Sequence, residues 1–277
     1  MLSQLLRALA AADGGAQAVR PLQLLTAAVW PRHPLMHPLL PPVVIAAYLL
    51  SVPLLSALCA RLATTGKCVP FRIAAFAHNL ALALYSGYTA VNIIPLTVSH
   101  LRHHGVLSLY CSNALWNAGL SYWSFLFYLS KYVELLDTHL LLVKQKKPSY
   151  LHLYHHALTI YCAYWLQLSH TSVSFLFVSL NASVHTIMYS YYALTLLSIR
   201  FPFKHLITTL QMLQFVVGIV LALPMFLLQN AQCALLTQKL ALSAIILHVL
   251  YLLYLFANFY NATYNTNNNK PKKIKSL

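Results

Sequence analysis

Seven long apolar segments divide the chain and leave few residues for a charged surface. They cover residues 41–60, 73–96, 115–142, 151–168, 173–198, 205–228 and 238–260. A helix needs about 20 mostly apolar residues to cross a bilayer. Of the 277 residues, 60% are hydrophobic, 8% are charged and only three are acidic, so the charged shell of a soluble domain is missing. The pattern predicts an all-α polytopic membrane protein with seven transmembrane helices.

The same segments set the predicted domain organisation. We expect a non-cytoplasmic or interfacial lead-in at residues 1–38, a seven-helix membrane domain at 39–262 and a basic cytoplasmic tail at 263–277. The sequence contains no visible internal repeat and no stretch typical of a soluble domain. The first residues do not match a signal peptide, because Arg7 and Asp13 interrupt a short apolar run.

Lysine and arginine are concentrated in alternate connections, which predicts the orientation of the chain. The connections after the first, third and fifth segments, and the C-terminal tail, hold most of these residues. Cytoplasmic loops carry such an excess, so we expect a cytosolic C-terminus and a lumenal N-terminus. The net charge of +15 then indicates loops that face anionic lipid or a polyanionic ligand rather than nucleic acid.

The five cysteines show no CxxC spacing, so a zinc or redox motif is not supported. Cys111 and Cys233 both fall in connections that the topology places outside the cytosol. Because disulfides form in oxidising compartments, we expect a Cys111–Cys233 disulfide. Two unpaired buried thiols are the alternative.

The third segment contains KYVELLDTH, an unusual group of ionisable residues for a membrane span. Charged groups inside a span are costly and usually mark function. Lys131, Glu134 and Thr138 share one helical face, and Asp137 lies on its flank. Two interpretations stay open, an ion pair that fixes helix packing and a polar group that orients catalytic histidines.

The fourth segment opens with HLYHH, which places His152, His155 and His156 on one helical face near the predicted cytoplasmic entrance. Three imidazoles at one membrane boundary indicate a reactive site more than incidental core histidines. The next two segments add polar side chains that either hydrogen-bond between helices or face the same chamber. They are Asn181, His185, Met188, Tyr189 and Tyr192 in the fifth segment, and Gln211 and Gln214 in the sixth.

Four of these runs together resemble the signatures of the ELO family of fatty acid elongases. They are KYVELLDT (131–138), HLYHH (152–156), HTIMYSYY (185–192) and TTLQMLQF (208–215), and HNL (78–80) is similar to that family's second-span motif. The resemblance covers residues 40–275. It implies a seven-helix bundle that encloses an acyl-CoA tunnel in the endoplasmic reticulum membrane. The implied enzyme is an acyltransferase, the very-long-chain 3-oxoacyl-CoA synthase of the elongation cycle.

The resemblance also implies roles for individual residues. His155 corresponds to the histidine that is proposed to carry the acyl group, with His152, His156 and His185 as proton carriers or oxyanion donors. We expect Lys131, Glu134, Asp137, Asn181, Tyr189, Tyr192, Gln211 and Gln214 to orient these groups or the substrate. We expect the CoA phosphates near Lys144, Lys146, Lys147, Arg200 and Lys204.

The implied ligands are the substrates acyl-CoA and malonyl-CoA, with no metal and no other cofactor. The implied partners are membrane lipid and the ketoacyl reductase, dehydratase and enoyl reductase of the cycle, with a second copy of this chain as an open point. The final Lys273 and Lys275 resemble a cytosolic dilysine retrieval signal.

Two other classes of protein remain as alternatives. A membrane di-iron desaturase or hydroxylase also uses HxxHH boxes, and the chain has a second one with His100, His103 and His104. The predicted topology places that box a bilayer away from His152, so the two boxes should not share a metal. A transporter or a seven-helix receptor would suit the spans but leaves the three-histidine cluster unexplained.

Overall fold

The described part of the chain consists of helices joined by short connections. The computed structural model describes residues 33–64, 66–199, 202, 204–228 and 236–265, and these contain no strand. The helices are α1 (Leu40–Arg61), α2 (Val69–Cys111), α3 (Ser121–Glu134), α4 (Leu136–Val143), α5 (Tyr150–Leu168), α6 (Ser174–Leu196), α7 (Lys204–Ala222) and α8 (Leu236–Tyr260). Short helical turns at Pro34–Met36, Trp116–Leu120, Pro224–Leu227 and Asn261–Asn265 flank them.

These helices form seven helical segments that follow the predicted ones closely. The main differences are that α2 continues to Cys111 and that the third segment is broken into α3 and α4. Within the described residues, four helices are long and apolar enough to cross a membrane, Leu40–Arg61, Val69–Cys111, Lys204–Leu227 and Leu236–Tyr264. Large apolar side chains cover their outer faces. The all-α class is confirmed and fits a polytopic membrane protein, whereas the crossing of all seven segments stays a prediction.

Several irregular points interrupt the helices. Pro53 lies inside α1 and Pro95 inside α2, where proline removes a backbone hydrogen bond and bends the helix. Gly105 breaks α2 with φ 75° and ψ 169°, a conformation that favours glycine. Between α3 and α4, Leu135 donates its N–H to Tyr132 O rather than continuing the regular pattern.

Five of the helices line a partly open cavity. α2 lies along α6, α7 packs between α6 and α8, and α5 packs between α3 and α8. α1 covers α4 and the start of α5. α3, α5, α6, α7 and α8 all contribute side chains to the cavity wall. These are largely the segments that carry the polar motifs, so the fold turns the polar faces inward.

The hydrophobic core is rich in aromatic side chains between α3 and α5. Tyr128 and Ile160 are fully buried, and Tyr164 is nearly so. The phenol groups of this core have polar partners, as buried tyrosines usually do. Tyr128 donates to Leu35 O at 3.0 Å and Tyr164 to Met36 O at 3.4 Å. The core therefore anchors the turn that precedes α1.

The connection after α1 is tied to the connection after α4. Thr64 donates its hydroxyl to Val143 O at 3.0 Å, and Gln145 donates its amide to Cys59 O at 2.6 Å. Gly66 adopts φ 63° in this contact, and a Cβ there would lie 2.7 Å from Lys144 Cγ and 3.3 Å from its Cα. Both the positive φ at position 66 and the limited space beside Lys144 therefore require glycine.

Gly66→Ala should destabilise the protein by about 1–2 kcal/mol from the left-handed backbone alone, with the clash against Lys144 in addition. We expect a lower Tm for the purified variant in detergent. Gly87→Ala is the matched control, because Gly87 is helical and its added Cβ would meet Thr186 Cγ2 at an ordinary 3.5 Å. Equal Tm values for the two variants would contradict this packing of the connections.

Candidate active site

A buried ion pair forms the centre of the polar region. Lys131 and Glu134 lie one turn apart on α3 and are 2% and 3% exposed. Lys131 Nζ donates to Glu134 Oε1 at 2.6 Å, and Ser130 Oγ donates to the same oxygen at 3.2 Å. The ammonium group also lies 4.2 Å from the ring centroid of Phe127. A charge pair this deep is stable only when both partners are present and well hydrogen-bonded.

The ion pair orients Asn181 and His185, which lie one turn apart on α6. Lys131 Nζ donates to Asn181 Oδ1 at 3.0 Å, so the amide nitrogen faces His185 Nε2, also at 3.0 Å. Since an amide N–H only donates, Nε2 accepts and the ring proton lies on Nδ1. Nδ1 lies 3.6 Å from Glu134 Oε1. The two helices thus hold one imidazole between an amide and a carboxylate.

Asp137 joins α4 to α2 and α6. His78 donates through Nε2 to Asp137 Oδ1 at 2.8 Å, and Tyr189 donates its hydroxyl to Oδ2 at 2.6 Å. The Tyr189 ring meets His185 edge to face, with ring centroids 5.3 Å apart. Asp137 therefore acts on His185 indirectly, through the tyrosine that packs on it.

Thr138 points in another direction, towards α1 and the histidine motif. Its hydroxyl hydrogen-bonds to Tyr48 OH at 2.7 Å and to His152 Nε2 at 2.8 Å. Thr138 lies seven residues after Lys131, about 10 Å further along the helix axis, so it meets different neighbours.

The start of α5 places the three histidines of HLYHH. Ser149 caps the helix by accepting the His152 N–H at 3.2 Å, as serine commonly does at this position. The rings of His152 and His156 lie 4.3 Å apart, and those of His155 and His156 lie 5.3 Å apart and perpendicular. The spacing therefore brings the three imidazoles into one contiguous group, as expected.

His155 lines the apolar cavity enclosed by the five inner helices. The cavity contains about 610 Å³ of empty space including its opening. Asn181, Gln214 and His248 also line it, and His248 Nδ1 hydrogen-bonds to Tyr154 OH at 3.1 Å. Within the described residues no side chain hydrogen-bonds to the His155 imidazole, so its ring nitrogens are available to a ligand in this cavity.

The basic residues predicted to bind phosphate lie near the ends of the helices. Lys144 is half-buried, with Nζ 5.8 Å from the Phe71 ring centroid, and burial together with the charge of Lys146 lowers the pKa of Lys144. Lys146 and Lys147 are exposed in the same connection. Lys204 is exposed and lies over Tyr264 instead. Arg200 lies outside the described residues.

A shallow surface depression lies beside this connection. It is lined by Gly66, Lys67 and Arg72 from the α1–α2 side and by Thr195, Leu196 and Ser198 from the end of α6. Arg72 Nη2 donates to Leu196 O at 2.7 Å. Lys67 and Arg72 therefore lie at the same basic end of the fold as Lys144, although neither was predicted to bind a ligand.

Two predicted orienting residues lie away from the cavity. Gln211 donates its amide to Met188 Sδ at 3.2 Å and is not part of the cavity wall, unlike Gln214. Tyr192 is 41% exposed and contacts the Tyr189 ring from outside. Gln211 and Tyr192 thus lie outside the cavity wall, which the sequence pattern alone could not predict.

Only part of the predicted disulfide falls within the described residues. Cys111 is disulfide-bonded, whereas Cys59, Cys68 and Cys162 are free. Cys233 lies outside the described residues, so the Cys111–Cys233 pairing stays a prediction.

Sequence reasoning missed three polar residues that belong to the region. His78, Tyr48 and His248 contact Asp137, Thr138 and Tyr154, respectively. The signal for the two histidines was present, because an ionisable residue in an apolar span is a functional candidate by itself. Tyr48 carried no such signal, since tyrosine is common in membrane helices.

The second histidine box forms its own small group. His100 hydrogen-bonds to Ser108 Oγ at 2.8 Å, and its ring lies 4.6 Å from that of His104. In the part of the chain that the structure describes, no group of three or more His, Cys, Asp or Glu residues could hold a metal ion. The histidines of the two boxes are therefore not assembled into one metal centre there.

Neutralising one partner of the buried pair should destabilise the fold strongly. Lys131→Met or Glu134→Gln alone leaves an unpaired buried charge, at a cost of about 3–5 kcal/mol. We expect the Lys131→Met/Glu134→Gln double variant to regain part of that loss in Tm, because it contains no unpaired charge. Lys146→Met, at an exposed site, is the control. A double variant whose loss equals the sum of the single losses would show that the two groups do not interact.

Comparisons with known proteins identify sequences that are similar to this chain. The chain is similar to fatty acid elongase 2 of Trypanosoma cruzi, with 34% identity over 153 residues, 53% of this chain and 55% of that protein. It is similar to long chain fatty acid elongase 2 of Caenorhabditis elegans, with 35% identity over 144 residues, 50% of this chain and 53% of that protein. It is also similar to very long chain fatty acid elongase 6 of Drosophila melanogaster, with 33% identity over 144 residues, 50% of this chain and 46% of that protein.

The chain thus spans about half the length of the relatives it matches. The match to a family model is more extensive and covers residues 33–272, which include the histidine motif, the buried ion pair and the cavity wall. The chain belongs to the ELO family, described as the GNS1/SUR4 family.

Proposed function

We propose that this protein is a fatty acid elongase that condenses a long-chain acyl-CoA with malonyl-CoA. The products are a 3-ketoacyl-CoA, free CoA and CO2. The observation that carries the proposal is the placement of His155, which faces an apolar cavity without a hydrogen-bond partner in the described residues. The family and the names of the relatives support the same reaction.

The proposed reaction begins with acyl transfer to His155. A neutral imidazole nitrogen attacks the thioester carbonyl, the carbon–sulfur bond breaks, and CoA leaves with the proton that the ring loses. The resulting acyl-imidazole stays reactive. Malonyl-CoA then loses CO2, and the enolate carbon bonds to the acyl carbon as the bond to His155 breaks. The departing ring takes up one proton from water, which replaces the proton that left with CoA, and the histidine returns to its neutral starting state.

The neighbouring polar residues fit supporting roles. His152 and His156 form a continuous imidazole group with His155, so they are placed to carry protons to and from it. Asn181 lines the cavity and uses one of its two amide N–H groups for His185, so its second N–H is our candidate for stabilising negative charge on the acyl oxygen. Lys131 and Glu134 hold Asn181 and His185 in position. Fixed donors of this kind contribute most when they need no reorganisation.

The basic end of the fold suits the CoA moiety. Lys144, Lys146 and Lys147 share one connection, and we propose that they bind CoA phosphates, with Arg200 and Lys204 as further candidates. A bound phosphate would offset the burial that lowers the pKa of Lys144. The acyl chain would then extend past His155 into the cavity, which we propose to be the acyl-CoA tunnel.

We also propose the cellular setting that the family resemblance and the charge pattern support. It is the endoplasmic reticulum membrane, with seven crossings, a cytosolic C-terminus and a lumenal N-terminus. The proposed partners are membrane lipid, the other enzymes of the elongation cycle and a second copy of the chain. No metal or further cofactor enters the proposed reaction.

His155→Ala should abolish formation of 3-ketoacyl-CoA from palmitoyl-CoA and malonyl-CoA, a loss of at least about a thousandfold in kcat, because the variant has no group to accept the acyl chain. The measurement is product formation by purified protein, checked for an unchanged elution profile. His103→Ala, at an exposed histidine of the second box, is the matched control and should keep wild-type turnover. Wild-type turnover in His155→Ala would refute the assignment.

Replacing Lys144, Lys146 and Lys147 together by alanine should raise KM for palmitoyl-CoA at least about threefold, since each partly exposed ion pair contributes about 0.2–1 kcal/mol. Palmitoyl-pantetheine lacks the nucleotide phosphates of CoA, so its KM should not change. Lys239→Ala is the control, because Lys239 lies at the start of α8 and donates to Leu228 O. An equal rise in KM for both substrates would exclude phosphate binding by these lysines.

A further inference from the structure

Three side chains from three helices form a hydrogen-bonded chain that ends at the first histidine of the HLYHH motif. Tyr48 OH on α1 lies 2.7 Å from Thr138 Oγ1 on α4, and Thr138 Oγ1 lies 2.8 Å from His152 Nε2 on α5. Tyr48 is 3% exposed and Thr138 is fully buried. Both hydroxyl protons therefore need an acceptor within the protein.

The direction of these hydrogen bonds follows from the number of protons and acceptors. If Tyr48 donates to Thr138 and Thr138 donates to His152 Nε2, both hydroxyl protons have an acceptor. If His152 Nε2–H donates to Thr138 and Thr138 donates to Tyr48, the Tyr48 proton needs a further acceptor. Among the described residues the Tyr48 hydroxyl hydrogen-bonds only to Thr138. A buried donor without an acceptor is costly, so the first direction is the stable one.

A third arrangement would let Tyr48 and His152 both donate to Thr138 Oγ1. The Thr138 proton would then have to go to the carbonyl group one turn earlier, as threonine hydroxyls in helices can do. Thr186 makes this bond, to Ala182 O at 2.7 Å. Within the part of the chain that the structure describes, the Thr138 hydroxyl has no backbone acceptor and bonds only to Tyr48 and His152. The third arrangement therefore does not fit this geometry.

The direction of the chain fixes the tautomer of His152. Its Nε2 lone pair accepts the Thr138 proton, so the proton of the neutral ring lies on Nδ1. A neutral imidazole has one ring nitrogen that accepts, and in His152 that nitrogen is occupied. His152 can therefore donate a hydrogen bond through Nδ1 to a substrate oxygen, but it has no free lone pair that could take a proton from His155.

His156 is placed differently from His152. Its ring centroid lies 4.3 Å from that of His152 and 5.3 Å from that of His155. The His156 imidazole is buried and makes no side-chain hydrogen bond within the described ranges. Both histidines are near His155, but only His156 has an unoccupied lone pair, so proton exchange with His155 falls to His156.

We propose that Thr138, oriented by Tyr48, is a positioning residue that holds His152 as the Nδ1–H tautomer. His152 then serves as a hydrogen-bond donor to the substrate, and His156 alone exchanges the proton with His155. The effect on turnover rests on the proposed function, because it takes His155 as the acyl carrier. The tautomer itself does not depend on that function.

NMR of the purified full-length protein in lipid, labelled with carbon-13 and nitrogen-15 histidine, tests the tautomer directly. The carbon couplings tell which ring nitrogen carries the proton, and the His152 signals are those missing in His152→Gln. We expect a proton on Nδ1 of His152 in the wild-type protein and in Thr138→Ser. Thr138→Val keeps the side-chain volume but removes the hydroxyl, so both tautomers should appear. A His152 proton on Nε2 in the wild-type protein would overturn the proposal.

Turnover of palmitoyl-CoA with malonyl-CoA tests the consequence. Thr138→Val should lower kcat about tenfold with little change in KM, since one fixed hydrogen bond has about that effect on a rate. Thr138→Ser retains the hydroxyl and should keep kcat near the wild-type value. If Thr138 only filled space, the order would be reversed, because valine fills the same volume and serine leaves a gap. A lower kcat in Thr138→Ser than in Thr138→Val would therefore contradict a positioning role.

Ser51 provides the matched control, because it joins the same two helices without reaching His152. Ser51 Oγ donates to Tyr48 O at 2.7 Å and accepts from His139 Nε2 at 2.9 Å. Ser51→Ala removes this link between α1 and α4 and should keep both the wild-type kcat and the Nδ1–H tautomer of His152. Equal losses of kcat in Ser51→Ala and Thr138→Val would show that Thr138 acts only by holding the helices together.

Failure of the proposed function and failure of this proposal give different results. If the wild-type protein elongates no acyl-CoA, the elongase proposal fails, whereas the NMR spectrum still decides the tautomer. If it elongates palmitoyl-CoA but His152 stays entirely in the Nδ1–H tautomer in Thr138→Val, the role of Thr138 is refuted and the elongase proposal stands.

Discussion

The buried Lys131–Glu134 ion pair is the constraint on which the rest of the arrangement depends. Neither charge is stable alone at this depth, so the two must stay together and must be completed by Ser130, Asn181 and His185. Those contacts fix the register of α6 against α3. Among the described residues, four helices are long and apolar enough to cross a membrane, and two of them, α7 and α8, also line the cavity.

The remaining polar residues of the third segment contact different neighbours on the two sides of the break at Leu135. Before the break, Glu134 faces α6; after it, Asp137 reaches α2 and α6, and Thr138 reaches α1 and α5. The KYVELLDT run thereby contacts α1, α2, α5 and α6, which supply polar side chains near His155. The contacts to α7 and α8 are made by other residues. Positioning of the histidines is thus a collective property of the bundle, and in the described part of the site the His155 imidazole has no side-chain hydrogen bond.

Much of this could be predicted from sequence, because apolar length and helical periodicity are local properties. They gave the seven helical segments and the common face of His152, His155 and His156. They could not give the break at Leu135 or the difference between Gln211 and Gln214, which depends on the rotation of α7 in the bundle. The contact between His78 and Asp137 joins residues 59 positions apart, so it required the packing of α2 against α4 and α6 to be known.

The central claim is that His155 carries the acyl group covalently, and intact-protein mass spectrometry tests it most directly. Purified protein would be incubated with palmitoyl-CoA in the absence of malonyl-CoA. A mass increase of one palmitoyl group, mapped to His155 and discharged as 3-ketoacyl-CoA when malonyl-CoA is added, is the predicted result. Product formation from both substrates with no acylated protein at any time would contradict the covalent route and place the condensation directly on bound acyl-CoA.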